Sequence, residues 1–390
     1  MVTIRPTSAQ ELCDAVADAA RAGRRLEIRG GGSKAAIGAP REVDLLDMRA
    51  FTGIVDYDPA ELVLTVSAGT PLAEVEALVA GEGQMLAFEP FDHGRLLGAV
   101  AGAATIGGVV AAGVAGSRRV TTGSARDHLL GFRAVSGRGE EFVAGAKVVK
   151  NVTGYDLPKL MAGSWGRIAA MTELTLKVLP RPRVTATLIA DGLGDRAALA
   201  AMTRALGSHA EVSAAAHLPA EANGGTAATL FRVAGFAPSV EARCVMLPDM
   251  LRASCSLRRA EPSEADQLWT RVRDASPLDG PTLWRVHVPP SAACGVTVSL
   301  APMGARWLFD WGGGLVWLAC EAPAADVRAA AAAAGGQAML VRAPDAIWAS
   351  VPAQHPRAGG VMALERRVRR AFDPAGVFET GRFLGEADAD

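Results

Sequence analysis

Four glycine-rich segments in the first half of the chain have the residue types and spacing to do chemistry. They are Arg29-Gly30-Gly31-Gly32-Ser33-Lys34, Thr105-Ile106-Gly107-Gly108, Thr122-Gly123-Ser124-Ala125-Arg126-Asp127 and Gly163-Ser164-Trp165-Gly166-Arg167-Ile168. Glycine lets a backbone approach a ligand closely and reach positive φ. Successive main-chain N–H groups then form concavities that hold anions. Four such segments in one region point to a long, phosphate-bearing ligand. The two common nucleotide signatures are both missing. Position 35 is Ala, so the triple glycine is not G-x-G-x-x-G, and no Gly-Lys dipeptide exists to make a Walker A loop.

Other chemistries are disfavoured by what surrounds these segments. The five cysteines (13, 244, 255, 294, 320) are scattered without a C-x-x-C pair, which argues against an iron–sulfur cluster or a structural zinc in this chain. Their odd number, and a start with no apolar stretch behind a basic end, predict reduced thiols in the cytoplasm. A formal net charge of −1 gives no global field toward nucleic acid or anionic lipid. Positions 96–116 carry no charge and are long enough for a membrane span. Six of those residues are glycine, however, including the adjacent Gly107 and Gly108. Such a segment reads as buried backbone packed around a ligand, with no transmembrane segment expected.

The elements that must position the glycine segments are visible in the periodicity. Ser8 with Glu11 predicts a capping box, with Leu12, Val16 and Ala19 following at helical spacing. Strands are predicted over 25–29, running into the triple glycine, and over 61–67. Thr70 and Pro71 are expected to open a helix that ends near Gly81. A hairpin is predicted around Gly137-Arg138-Gly139, and a strand over 173–179 stops at Pro180-Arg181-Pro182. That proline pair marks the expected domain boundary. Beyond it, strands near 183–190, 212–217, 228–234, 284–288, 306–309, 315–320 and 338–342 alternate with helices, including 239–252 and 324–334. This rhythm predicts an α+β layer with helices on one face of a sheet. No repeat of fixed period is visible, and an Arg-rich helix is expected over 362–372.

Taken in order, the first 180 residues resemble the FAD-binding domain of the vanillyl-alcohol oxidase (PCMH-type) flavoprotein family. The resemblance rests on Ile28-Arg29-Gly30-Gly31-Gly32-Ser33, Val66-Ser67-Ala68-Gly69-Thr70-Pro71-Leu72 and Thr105-Ile106-Gly107-Gly108. It continues through the Gly123–Gly131 segment, Lys150-Asn151-Val152-Thr153-Gly154-Tyr155-Asp156-Leu157 and the Gly163–Ile168 segment. The ending 372–382 resembles the family's returning C-terminal segment, with Glu379-Thr380 where the common form has Asn-Pro. The 150–157 stretch and the short length are most similar to the E-type subunits of bacterial glycolate oxidases. In those enzymes two related flavin subunits and an iron–sulfur subunit oxidise glycolate to glyoxylate.

The resemblance implies an α+β fold: a PCMH-type two-subdomain FAD-binding domain over 1–181, a ferredoxin-like α+β cap over 182–350, and a segment over 351–390 returning to the first domain. It implies FAD held by Arg29, Gly30, Gly31, Gly32, Ser33, Lys34, Thr105, Ile106, Gly107, Gly108, Gly123, Ser124, Asp127, Gly166 and Ile168. Asp127 could instead only cap its own turn. Some members attach FAD covalently through a histidine just after the glycines. Here Ser33 and Lys34 stand there, which implies noncovalent FAD. The activity implied is oxidation of a small 2-hydroxy acid, with electrons leaving through a partner that carries a cluster. A stand-alone FAD oxidase of another alcohol or hydroxy acid, and a structural or electron-relay flavin subunit, remain alternatives. Any membrane contact is expected to be made by the partners. No catalytic residue is assigned and no metal is expected: His209, His217, His287 and His355 form no i, i+3 or i+4 pair. Arg126 and Arg382 could hold a carboxylate or a phosphate, and Tyr155 could face the flavin or pack in the core.

Overall fold

The computed structural model describes residues 1–146 and 154–383. The chain begins with a small parallel sheet in which Asp44–Asp47 lies between Thr3–Ile4 and Leu26–Arg29. The helix Ala9–Arg21 covers it, burying Leu12, Val16 and Ala19 against Leu26, Leu46 and Met48. Ser8 caps this helix through the Glu11 amide at 3.2 Å. The Glu11 carboxylate reaches one residue further back than a capping box requires. It accepts from the amide and the hydroxyl of Thr7.

A five-stranded antiparallel sheet follows, in the order Ile54–Asp58, Val63–Ser67, Ala169–Lys177, Leu129–Ser136, Glu141–Gly145. The apolar face of these strands packs on the helices Leu72–Gly81 and Ile106–Ala112. Thr70 does not cap the helix Leu72–Gly81. Its hydroxyl donates to the Ser67 carbonyl at 2.7 Å and accepts from the Gly53 amide at 3.0 Å, and Pro71 takes the cap position. The uncharged stretch 96–116 breaks into a short turn and the seven-residue helix Ile106–Ala112. Among the described residues no helix is long and apolar enough to cross a membrane.

From Val184 onward the strands form one eight-stranded sheet built as two copies of the same unit. The first unit runs strand Val184–Asp191, helix Asp195–Leu206, strands Ala214–Leu218 and Ala228–Gly235, helix Ala237–Leu251, strand Arg258–Arg259. The second runs strand Leu283–His287, helix Ala293–Leu300, strands Arg306–Asp310 and Leu315–Ala319, helix Ala324–Ala333, strand Gln337–Arg342. In each, the strands lie in the order fourth, first, third, second, which is the ferredoxin-like split arrangement. The second strands of the two units join edge to edge through the bridge between His217 and Phe309. The helix Pro262–Asp274 links the units and had no clear signal in the sequence.

Alternation along the strands gives this sheet two different faces. Trp284, Val286, Val316 and Leu318 enter the core with Val296, Leu300, Val327 and Ala331 of the helices. Arg285, His287 and Trp317 therefore point the other way, toward the first half of the chain. Several contacts hold the halves together: the Trp311 indole donates to the Gly116 carbonyl at 2.9 Å, Arg342 donates to the Leu96 carbonyl at 3.0 Å, and Arg232 pairs with Glu89 at 2.8 Å. The chain end comes back to the first sheet. The Leu26 amide donates to the Val377 carbonyl at 2.7 Å, and Val377 and Phe378 are buried there. The Asp373 carboxylate accepts from both of their amides, and Glu379 pairs with Arg167 and Arg369.

Candidate functional site

The strand Leu26–Arg29 delivers the triple glycine into a cleft. Arg29, Gly30, Gly31, Gly32, Ser33 and Lys34 line it, facing Thr105, Gly107, Gly108 and Gly166, with Trp165 and Arg382 alongside. The two glycine segments touch. A Cβ on Gly30 would overlap the Thr105 hydroxyl, and one on Gly31 would overlap the Ala103 carbonyl oxygen. Gly32 has φ +79°, the left-handed region that favours glycine. The Thr105 hydroxyl is occupied as the cap of the helix Ile106–Ala112, accepting from the Gly108 amide at 3.3 Å.

The cleft is cationic. Lys34 is buried, and the one hydrogen bond of its ammonium among the described residues goes to Ser33 Oγ at 3.2 Å. Burial pulls its pKa down to about 8, against the upward pull of Asp92, with Arg382 adding to the lowering. Arg29 Nε is buried without a partner. Glu27, the acidic residue of the lining, pairs with Arg41 at 2.6 Å and with Arg29 at 3.1 Å. Arg382 donates to the carbonyls of Ile37 and Lys34, which ties the returning chain end to the glycine loop.

Not every residue singled out in the sequence lies in this cleft. Ile106 and Ile168 are core residues whose side chains pack under the five-stranded sheet. Gly123, Ser124 and Asp127 are not among the lining residues. The Asp127 carboxylate accepts from the Ser124 amide at 2.8 Å and from its hydroxyl at 3.1 Å, so it caps its own short helix. Arg126 is exposed and away from the lining. Tyr155 is 92% exposed and takes no part in the core. Lys150, Asn151, Val152 and Thr153 lie outside the described residues.

A second cluster, which the sequence reading missed, forms where the two halves meet. Trp311 is its centre. It has φ +55°, a strained value for a bulky side chain and one that functional sites often carry. The Arg119 guanidinium lies 4.6 Å from the indole centre and that of Arg285 lies 5.2 Å from it, while the His287 ring is 5.1 Å away. Arg285 and Arg119 have no hydrogen bond or ion pair to any described residue, and Arg285 Nε and His287 Nε2 are buried without partners. Burial, with the charges of Arg285 and Arg119, holds His287 well below the usual histidine range. His93, stacked on Phe91 at 4.5 Å, is lowered by burial and by the charges of Lys34 and Arg285. It therefore sits within electrostatic reach of both clusters. A usable signal was present: Arg285 and His287 alternate with apolar residues in a predicted strand, which puts both on one face.

The cleft fits a dinucleotide flavin by its chemistry. Glycine backbone is packed too closely to accept a Cβ, and Lys34 and Arg29 offer donors that are not fully used. Among the described residues no group of His, Cys, Asp and Glu could hold a metal ion.

Comparison with known proteins agrees with the cleft. A family described as FAD binding domain matches residues 1–145. The glycolate oxidase subunit GlcE of Escherichia coli (strain K12) is 34% identical over 365 residues, covering 93% of this chain and 93% of that protein. A D-lactate dehydrogenase of Anaerostipes hadrus is 34% identical over 145 residues, which is 37% of this chain and 29% of its own. Among solved structures, p-cresol methylhydroxylase superposes with a TM-score of 0.71 at 13% identity, covering all of this chain and 89% of its own. That last likeness speaks for the fold alone.

Proposed function

The chain belongs to the PCMH-type FAD-binding flavoprotein family, and from that premise we propose that it is the FAD-binding subunit of a complex that oxidises glycolate to glyoxylate. The observation that carries this reading is the match to a glycolate oxidase subunit along 93% of both chains. FAD, when bound, supplies the acceptor for the two electrons removed from a carbon–oxygen centre.

In this reading the amides of Gly30 to Ser33 cradle the pyrophosphate and Lys34 places its ammonium against the two phosphates. Thr105, Gly107, Gly108 and Gly166 keep the backbone close to the cofactor, and Arg29 and Arg382 add positive charge at the cleft. The cofactor is held noncovalently, because Ser33 and Lys34 stand where a linking histidine would follow the glycines. The division of labour runs as 1–181 for the cofactor, 182–350 for the cap, and 351–390 as the returning segment. With no C-x-x-C pair in the sequence, electrons leave through partners: a second related flavin subunit and an iron–sulfur subunit. The protein acts in the cytoplasm or at the inner membrane face through those partners.

The test is the visible spectrum of the purified chain before and after anaerobic glycolate, alone and in the full complex. A flavin band that bleaches in the isolated chain supports both the cofactor and the substrate chemistry here. A band that persists alone while the complex turns over moves the chemistry to a partner. No band after reconstitution with FAD rejects the reading.

A further inference from the structure

We propose that the meeting of the two halves around Trp311 is a carboxylate-binding site, with Arg285 as its anchor and Arg119 as the second cation, built for a small 2-hydroxycarboxylate. This rests on the reading of the chain as a hydroxy-acid flavoprotein, and it names the residues that take the acid.

The argument starts from charge. Arg285 stands on the sheet face turned away from the helices, half-buried, with Nε wholly enclosed and no anion beside it. Arg119 comes from the facing half and is also half-buried; Asp127 acts on it from a distance, but no described acid makes an ion pair with it, and the Asp127 carboxylate is engaged by Ser124. Burying one unpaired guanidinium is costly, and burying two that repel each other is more so. The flanking indole recovers part of that cost, since a cation is attracted to an aromatic face. Asp310 is the nearby acid that acts on Arg285, but both its oxygens are engaged. Oδ2 accepts from Ser117 at 2.8 Å and Oδ1 from the Trp311 amide at 2.7 Å. Burial raises Asp310 to about 7, so it is a poor counter-charge. The two guanidiniums therefore wait for an anion from solution.

The geometry narrows the class. A planar guanidinium takes a carboxylate through two parallel bonds. His287 lies two residues from Arg285 on the same strand face, its Nε2 unused and its ring kept neutral. A neutral imidazole beside two cations suits a ligand with a carboxylate for the arginines and a hydroxyl as hydrogen-bond donor to nitrogen. Lys34 of the flavin cleft and Arg285 both act on the His93 ring, so the two places lie within reach of one residue. Hydrogen phosphate also carries an O–H donor, so it is the competitor that the test must separate from a carboxylate.

The test uses oxalate, which has the carboxylate but neither a C–H bond to oxidise nor a hydroxyl, and so reports on the two arginines; it is titrated by calorimetry and by tryptophan fluorescence. It is run on both the FAD-loaded and the FAD-stripped chain. The wild type is expected to bind oxalate in both forms, with inorganic phosphate binding at least ~10-fold more weakly. Arg285→Met should weaken oxalate about 10–100-fold, the range for losing a charged hydrogen bond, while FAD affinity stays within about twofold. Its thermal midpoint should stay or rise, because an unpaired buried charge has gone. Arg119→Gln should weaken oxalate in the same direction, and Arg285→Lys should restore part of the binding. Oxalate binding unchanged in Arg285→Met, a lowered midpoint as its sole effect, or no oxalate binding by a wild type that holds FAD would each overturn the proposal while leaving the cofactor reading intact. A chain that binds oxalate but never FAD would reject the cofactor reading and leave the anion site standing.

Discussion

Binding of FAD should weaken as pH rises through 8, and Lys34 should be the cause. In the free protein its ammonium is buried against Ser33, and burial holds its pKa at about 8. Two phosphates brought beside it favour the charged form and restore it toward its ordinary ~10.4. Between those two values the complex carries a proton that the free protein lacks. Binding then takes up a proton, so affinity falls with rising pH. Taking the free value as 8, the apparent Kd grows as one plus ten to the power of pH minus 8. That is about tenfold between pH 7 and pH 9, or ~1.4 kcal/mol. Burial and the neighbouring Arg41 also pull Arg382, which is fixed to the carbonyls of Ile37 and Lys34, down to about 9, so it adds to the slope only near and above that pH. The assay is quenching of flavin fluorescence on titrating the FAD-stripped chain from pH ~6.5 to ~8.5, below that value. Lys34→Arg should bind with a nearly flat profile, and Lys34→Met should be flat and weaker throughout. A flat wild-type profile, or a slope that survives in Lys34→Arg, would refute the reasoning.

Three further outcomes can be checked. Gly31→Ala should lose more thermal stability and FAD binding than Gly32→Ala. At Gly31 a Cβ meets the fixed Ala103 carbonyl, whereas at Gly32 the cost is the ~1–2 kcal/mol of a positive φ, with Arg29 Cδ at 3.6 Å as the nearest atom; equal midpoints for the two variants would contradict the close approach. Asp310→Asn should gain on the wild type as pH climbs from 4 to 7. The folded carboxyl is raised by burial and the unfolded one is not, so the folded wild type binds more protons across that window and loses up to ~4 kcal/mol of stability; urea midpoints that stay parallel for the two proteins across the range would sink this. Acid or heat precipitation should release yellow flavin into the supernatant, and colour retained in the washed pellet would show a covalent bond.

The glycine cleft was legible because its requirement is local. Where backbone must pass within van der Waals distance of other backbone, as Gly31 does at Ala103, no other residue fits, and the sequence shows it. Strands such as Val63–Ser67 and the hairpin Leu129–Ser136 with Glu141–Gly145 were legible through alternation and turn residues. Thr70 was misread because a hydroxyl before a proline has other partners to choose from, and the Ser67 carbonyl and Gly53 amide took it. The duplicated unit of the cap was hidden for a different reason. Its two copies share an order of elements and a pleat, but no spacing of residues that repeats along the chain. The helix Pro262–Asp274 was hidden because its buried face is reduced to Leu268, Val272 and Asp274. Arg119, Arg285, His287 and Trp311 gave no joint signal, since they meet through tertiary packing across almost 200 positions.

That packing explains why the cationic cluster lies where it does. Joining two ferredoxin-like units edge to edge gives a sheet broad enough to cover the first half of the chain, and the helices occupy one of its faces. The other face has no helix of either unit to bury against; the linking helix Pro262–Asp274 touches it through Trp269, whose indole donates to the Thr187 hydroxyl at 3.0 Å, and its alternate positions are free to be polar: Arg232 in the first unit, Arg285 and His287 in the second. Arg232 is spent on the contact itself, paired with Glu89. Arg285 is not, because the turn after Asp310 intervenes. Gly312 and Gly313 both have positive φ there, and Trp311 is pinned by its amide to Asp310 and by its indole to Gly116. The strain at Trp311 thus holds one flat ring between an arginine of each half. Neither half contains the site alone. It exists where the halves dock, and the same contact puts Arg285 of the cap within reach of His93, on which Lys34 of the glycine cleft also acts.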